Sequence, residues 1–301
     1  MYDVIIIGSG PAGLTAAIYA TRANLKTLVL AGEQWGGQPM LTTEVDNFPG
    51  FPEGVQGPDL IANIRKQAER FGAEIVNVSF TDGDLSKSPF KLTAGEKTYE
   101  AKTVIIATGG KPKMLGIPGE KEKFGRGVST CAVCDGGFYR GKKVAVIGGG
   151  DVAMEEAIEL SEIATEVSLI HRREEFRASK AMQDKVFKNP KIKRFMSTDV
   201  LEILGQEKVS GVRIKNITTG KTEEIVLDGV FLAVGYEPSS EAFKQVEKDE
   251  KGYIISEGVK TKTPGLFVAG DVMDKRYRQS ITAAAFGAMA ALEVEKFLMD
   301  Q

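Results

Sequence analysis

Residues 4–7, Val-Ile-Ile-Ile, form an unbroken β-branched apolar run that stops at Gly8, and residues 14–22 then take on helical composition. An apolar run this short, closed by glycine and free of polar alternation, reads as a strand covered on both faces, as in a parallel sheet. A second run at residues 28–30 completes a series of strand, glycine turn, helix and parallel strand. The series recurs as a strand at 143–147, a turn at Gly148-Gly149-Gly150, a helix at 154–163 and a strand at 167–170. The two βαβ units begin about 140 residues apart, too far for a solenoid repeat, and each is too complete to be half of one nucleotide-binding sheet. Each is expected to open its own dinucleotide-binding domain.

Two more apolar runs, 104–107 and 229–234, end in Thr108-Gly109-Gly110 and Gly235-Tyr236-Glu237-Pro238. Such punctuation suits crossings between domains. After the second crossing come a strand at 265–269, then Gly270-Asp271, then an alanine-rich helix from about 280 to 298, a return to the first domain. The expected architecture is α/β, with two Rossmann-like domains and the second inserted in the first: 1–112 with 241–301, and 113–240. A length of 301 residues suits two cores.

Charge removes some function classes. With 39 Lys+Arg against 41 Asp+Glu and a formal net charge of −2, no global basic field attracts nucleic acid or anionic lipid. No apolar run approaches the roughly 18 residues of a membrane span. The opening Met1-Tyr2-Asp3 runs straight into the first strand without a signal-peptide pattern, so a cytoplasmic protein is expected.

Gly8-Ser9-Gly10-Pro11-Ala12-Gly13 fits G-x-G-x-x-G between a strand and a helix, where glycines let backbone N–H groups approach a pyrophosphate at the helix N-terminus. Dense glycines also occur in plain βα turns. An acidic residue for a ribose belongs at the end of the second strand, but Ala31 and Gly32 stand there, with Glu33 just beyond. The second turn, Gly148-Gly149-Gly150-Asp151-Val152-Ala153, fits the G-x-G-x-x-A variant, and His171-Arg172-Arg173 follow its second strand. Adjacent arginines, joined by Arg177, have the fork geometry for a 2′-phosphate, which points to NADPH over NADH. The competing reading pairs them with Glu174 and Glu175 on a solvated helix start, and His171 is as well read as a plain strand-end residue.

The only cysteines, Cys131 and Cys134, stand in C-x-x-C followed by Asp135. A pair so close can cycle between dithiol and disulfide and exchange with another disulfide. A structural zinc site needs four ligands, and the chain offers no further cysteine and a single histidine, so no metal is expected. A charged Asp135 would repel a neighbouring thiolate, which favours a raised pKa and a proton-donor role, although an aspartate there also suits a helix cap.

These residues, together with Gly36-Gly37-Gln38, Thr43-Glu44-Val45-Asp46-Asn47-Phe48-Pro49-Gly50, Ala107-Thr108-Gly109 and Gly270-Asp271-Val272, resemble the low-molecular-weight thioredoxin reductases along essentially the whole chain. The resemblance implies the three-layer ββα arrangement of FAD/NAD(P)-binding domains, with FAD in the first domain and NADPH in the inserted one. It implies Gly37, Gln38 and Asn47 near the ribityl and isoalloxazine groups, Asp271 on the ribityl, and Arg278-Gln279-Ser280 beside the ring. It further implies Cys131 as the exchanging thiol, Cys134 as the flavin neighbour, Asp135 as the acid, a homodimer, and a separate thioredoxin-like partner with its own C-x-x-C disulfide. Val133, Asp151-Val152 and Ala285 depart from the usual pattern, and Asp151 places a charge near the expected pyrophosphate. A related flavin reductase fed by ferredoxin typically lacks the arginine pair, and a non-enzymatic FAD-binding redox sensor is the alternative from another class.

Overall fold

The computed structural model describes residues 1–42 and 44–301, so Thr43 lies outside the described residues. The chain forms two compact units, Met1–Lys111 with Glu237–Gln301, and Pro112–Tyr236. The chain passes between them at Gly110–Pro112 and at Tyr236–Pro238, each a short strand.

Among the described residues, the main sheet of the first unit has seven strands. Its parallel part runs Glu74–Val76, Thr27–Leu30, Tyr2–Ile7, Lys97–Ile106, with Leu266–Val268 beside the end of the last. The start of Lys97–Ile106 turns antiparallel partner to Phe90–Ala94, which pairs with Phe80–Asp84. The apolar run sorts by the strand period of two: Val4 and Ile6 pack in the cluster that includes the helices Pro11–Arg22, Gly57–Arg70 and Ser280–Met299, while Ile5 and Ile7 pack in the opposite one. Full burial of each such side chain contributes about 1.5–3 kcal/mol of transfer free energy, which is why no polar position interrupts the run. Register then builds the site. Ile7 lies opposite Leu30 and Ile106, and Val268 opposite Ile106, so Gly8, Ala31, Ala107 and Ala269 all emerge at one edge.

The first helix is made of small residues where it meets the last. Pro11 sits in its first turn, where a missing N–H costs nothing. Opposite, Gly287 is so close that a Cβ there would lie 2.0 Å from the Ala12 carbonyl oxygen.

The second unit has a parallel sheet in the order Val128–Ser129, Gly229–Ala233, Lys143–Gly148, Glu166–Ile170, Ile192–Phe195. Val144 and Val146 face the helix Asp151–Ile163. Ala145 and Ile147 face Ile203, Val212 and Ile214 of an antiparallel sheet, Thr198–Leu204, Gly211–Asn216 and Thr222–Val226. Helix, parallel sheet and antiparallel sheet make the three layers. Gly148 lies opposite Ala233, and Ile147 opposite Ile170, so the second glycine turn and His171 share an edge as in the first unit. Among the described residues, no helix is long and apolar enough to cross a membrane.

Candidate active site

The three glycines of the first turn answer to different neighbours. A Cβ on Gly8 would meet the Ala107 carbonyl oxygen at 2.3 Å, and one on Gly13 would meet the Gly8 carbonyl oxygen at 2.0 Å. Gly10 has only the Gly36 oxygen, at 4.0 Å. Gly8 and Gly13 therefore let backbones touch, whereas Gly10 keeps clear space over the start of the helix. Ser9 is a strut: its buried hydroxyl donates to the Ala31 carbonyl at 2.7 Å and accepts the Gly36 N–H at 2.9 Å.

Around that turn, Ala31 is buried and Gly32 adopts φ 81°, while Glu33 is exposed with its N–H on the Ser79 hydroxyl at 3.4 Å. Gly36 and Gly37 take left-handed backbone at φ 98° and 71°, and the Gln38 amide donates to the Gly110 carbonyl at 3.3 Å. The Thr108 hydroxyl donates to the Ser239 carbonyl at 2.7 Å, and the Gly109 carbonyl accepts the Ser239 N–H at 2.9 Å. Gly270, at φ 78°, turns the chain toward half-buried Asp271 and buried Val272. The Asn47 amide donates to the Gln279 side-chain oxygen at 3.2 Å, joining two segments far apart in sequence. One residue here escaped sequence reasoning. The buried Asp274 carboxylate accepts backbone N–H groups of Arg276, Tyr277 and Arg278 at 2.8, 3.1 and 3.1 Å, fixing the turn that presents Arg278, at φ 49°, Gln279 and Ser280. Only the general tendency of aspartate to bond backbone N–H groups a few residues on hints at it.

The second turn has the same plan. A Cβ on Gly148 would lie 2.4 Å from the Ala233 carbonyl oxygen, and Gly150 has nothing within 4 Å. Gly149 rests on the His171 imidazole, whose atoms a Cβ would meet at 2.2–2.6 Å. The Gly149 carbonyl accepts the N–H groups of Arg177 and Ala178 at 2.7 and 3.1 Å, and the Asp151 carboxylate accepts the Ser179 N–H at 2.8 Å. The Ser179 backbone N–H, helped by its hydroxyl, holds the Asp151 carboxyl below the usual range, so this charge is spent on anchoring the loop. Val152 is exposed and Ala153 buried.

Arg172, Arg173, Arg177, Phe176, Ser197 and Thr218 line an open cavity of about 550 Å³. All three arginines are exposed, and among the described residues none is ion-paired with Glu174 or Glu175. His171 is buried; burial pushes its pKa down, and the arginine charges act in the same direction.

Cys131 and Cys134 form a disulfide with Cα atoms 5.3 Å apart. Cys131 caps the one-turn helix Ala132–Asp135, its Sγ accepting the Cys134 N–H at 3.2 Å. Ser129, another residue the sequence did not single out, reaches this helix from the end of Val128–Ser129. Its buried hydroxyl accepts the Cys131 N–H at 3.1 Å and bonds the Asp135 carboxyl. Burial raises the Asp135 pKa, with Ser129 opposing in part. Tyr139 packs edge-on to Phe231 at 5.2 Å, and burial, reinforced by the Asp135 charge, pushes its hydroxyl up to about 12. Among the described residues, no group of His, Cys, Asp and Glu could hold a metal ion.

The family model of the pyridine nucleotide-disulphide oxidoreductases matches residues 2–287. A thioredoxin reductase of Mycolicibacterium smegmatis is 48% identical, with 100% of this chain and 98% of that protein covered. A bifunctional thioredoxin reductase/thioredoxin of Mycobacterium leprae is 48% identical over 100% of this chain, which spans 66% of that protein. The crystal structure of thioredoxin reductase from Streptococcus pyogenes superposes with a TM-score of 0.96 at 41% identity, covering 100% of this chain and 99% of that one.

Proposed function

Because the chain belongs to the pyridine nucleotide-disulphide oxidoreductase family, and within it to the thioredoxin reductases, we propose that it reduces the disulfide of a separate thioredoxin-like protein. It is an oxidoreductase acting on disulfides, dependent on FAD and NADPH. The observation that carries the reading to these residues is the Cys131–Cys134 disulfide beside Asp135, in the same unit as a glycine turn followed by three arginines.

The residues fit both cofactors. Gly10 and Gly150 leave open space at two helix N-termini, the place a pyrophosphate takes. We assign FAD to the first turn, held by Gly8–Gly13, Ala31–Glu33, Gly36–Gln38, Asn47, Thr108, Gly109, Gly270–Val272 and Arg278–Ser280. NADPH goes to the second, held by Gly148, Gly150–Ala153 and the arginines Arg172, Arg173 and Arg177. When bound, NADPH supplies a hydride and FAD a two-electron carrier able to reduce a disulfide.

The protein's own part begins with the reduced pair. Cys131 attacks one sulfur of the partner disulfide, forming a mixed disulfide and expelling the other partner sulfur, which takes up a proton. The Cys134 N–H aimed at Cys131 Sγ favours negative charge on the attacking atom. Cys134 then attacks Cys131 Sγ, which re-forms the internal disulfide and frees the second partner sulfur. Asp135, kept protonated more readily by burial, is placed beside Cys134 to give and take back a proton. With no cysteine outside the pair, the chain suits a reducing compartment, and we place it in the cytoplasm. We also assign a homodimer. Ile281, Met289 and Leu292, exposed along one side of the helix Ser280–Met299, are apolar surface that such a contact would cover.

Replacing either cysteine tests the order of events. Cys131→Ser and Cys134→Ser should still bind FAD and bleach its visible band with NADPH, yet lose at least about a hundred-fold of disulfide reduction. Near-normal turnover in either variant would overturn the assignment.

A further inference from the structure

His171 is buried at the foot of the arginine cluster. Its ring lies beneath Gly149, so close that a methyl group there would overlap three ring atoms, and it stacks on Phe176 at 5.3 Å between centroids. Its Nε2 stands 3.1 Å from the Glu175 carbonyl oxygen. A carbonyl only accepts, so Nε2 carries the hydrogen. That bond fixes the middle of the loop whose two flanks present Arg172 and Arg173 on one side and Arg177 on the other. The loop is pinned again where the Gly149 carbonyl takes the Arg177 and Ala178 N–H groups. The turn expected to receive the pyrophosphate and the loop expected to receive the 2′-phosphate are thus both seated on one imidazole.

We propose that His171 is a positioning residue for nucleotide selection: matched to Gly149 above it and bonded to Glu175 beside it, it sets the arginine fork in place and is not itself a ligand. The inference rests on the assignment of Arg172, Arg173 and Arg177 to a 2′-phosphate. Fixing in advance the backbone loop that carries the three arginines removes ordering entropy that a ligand would otherwise have to supply, so the gain should appear in discrimination between phosphorylated and unphosphorylated ribose.

Calorimetry on the FAD-loaded protein, with adenosine 2′,5′-bisphosphate and AMP as probes, separates the ideas without turnover. In the unmodified protein the bisphosphate should bind more tightly; equal affinities would sink the arginine assignment itself and this inference with it. Given that preference, His171→Leu should narrow the ratio of the two Kd values by about five-fold or more, the scale of one neutral hydrogen bond. His171→Gln, which can again offer an N–H to Glu175, should restore most of it. Gly149→Ala, which drives a methyl group into the ring, should narrow the ratio as well. Thermal melts confirm that each variant is folded. A ratio unchanged in folded His171→Leu, or a His171→Gln as poor as the leucine variant, would overturn the proposal while leaving the arginine assignment standing.

Discussion

The two glycine turns share a plan and differ in three places. In each, the first glycine is jammed against the carbonyl oxygen of a neighbouring strand, Ala107 for Gly8 and Ala233 for Gly148. In each, the second glycine, Gly10 or Gly150, faces open space. The third position separates them, because Gly13 would press a Cβ onto Gly8 whereas its counterpart already carries one, as Ala153. The middle of the turn differs too, with Ser9 tying Ala31 to Gly36 and Gly149 sitting on a histidine ring. The last difference is at the end of the second strand, where Ala31-Gly32 contrasts with His171-Arg172-Arg173. The jammed glycines serve the fold; on the proposed assignment the open ones serve a ligand, and the strand end decides which.

The third position offers the largest effect. Gly13→Ala copies the second turn into the first, but its methyl group would stand 2.0 Å from a backbone oxygen that cannot move aside, so a loss of about 3 kcal/mol or more is expected. The reverse change, Ala153→Gly, should cost only about 1 kcal/mol through helix propensity. Denaturant unfolding measures both, and equal costs would break the distinction between the turns.

The strand end comes next. Arg172→Ala removes a charge-assisted contact of about 1.5–3 kcal/mol and should raise the KM for NADPH ten-fold or more while moving that for NADH little. Equal use of both nucleotides by the unmodified protein would contradict the role given to this cluster.

The smallest effect is a pH dependence in the same unit as the second turn. Burial raises the Asp135 pKa, so the folded chain holds that proton more tightly than the unfolded one. The stability contributed by the proton is complete below the ordinary carboxylate value of about 3.9 and is lost as pH rises through the raised value. Asp135→Asn cannot ionise, so its Tm should equal that of the parent at acid pH and exceed it by a margin that grows as pH rises from the ordinary carboxylate range through the raised value. A margin constant with pH would mean that Asp135 titrates normally.

Much of this contrast was readable in the chain. The βαβ units stood out because strands buried on both faces, such as Tyr2–Ile7 and Lys143–Gly148, leave continuous apolar runs. The antiparallel strands did not, because Phe80–Asp84 and Thr222–Val226 are largely exposed and carry no such run. The cysteine pair, the glycine turns and the arginines stand out by type and spacing, and Gln38, Asn47, Asp271 and Arg278 only through the family resemblance, whereas the residues that support them do not stand out at all. Ser129 and Asp274 act through bonds to backbone N–H groups, which any serine or aspartate could make, and only the fold says which ones do. His171 was visible as a strand-end residue, but its seat beneath Gly149 depends on a close approach of two loops that no local pattern encodes.

The claim that the open glycines belong to two different nucleotides is tested most directly by a crossed pair of substitutions. Both positions have room for a methyl group and extended backbone, with φ −70° at Gly10 and −98° at Gly150, so Gly10→Ala and Gly150→Ala should fold normally. FAD content after purification and NADPH affinity by calorimetry are then measured on each. Gly10→Ala should lose FAD and still bind NADPH, and Gly150→Ala should keep FAD and lose NADPH affinity by about ten-fold or more. If both substitutions weakened the same nucleotide, or neither weakened any, the assignment of the two turns would be contradicted.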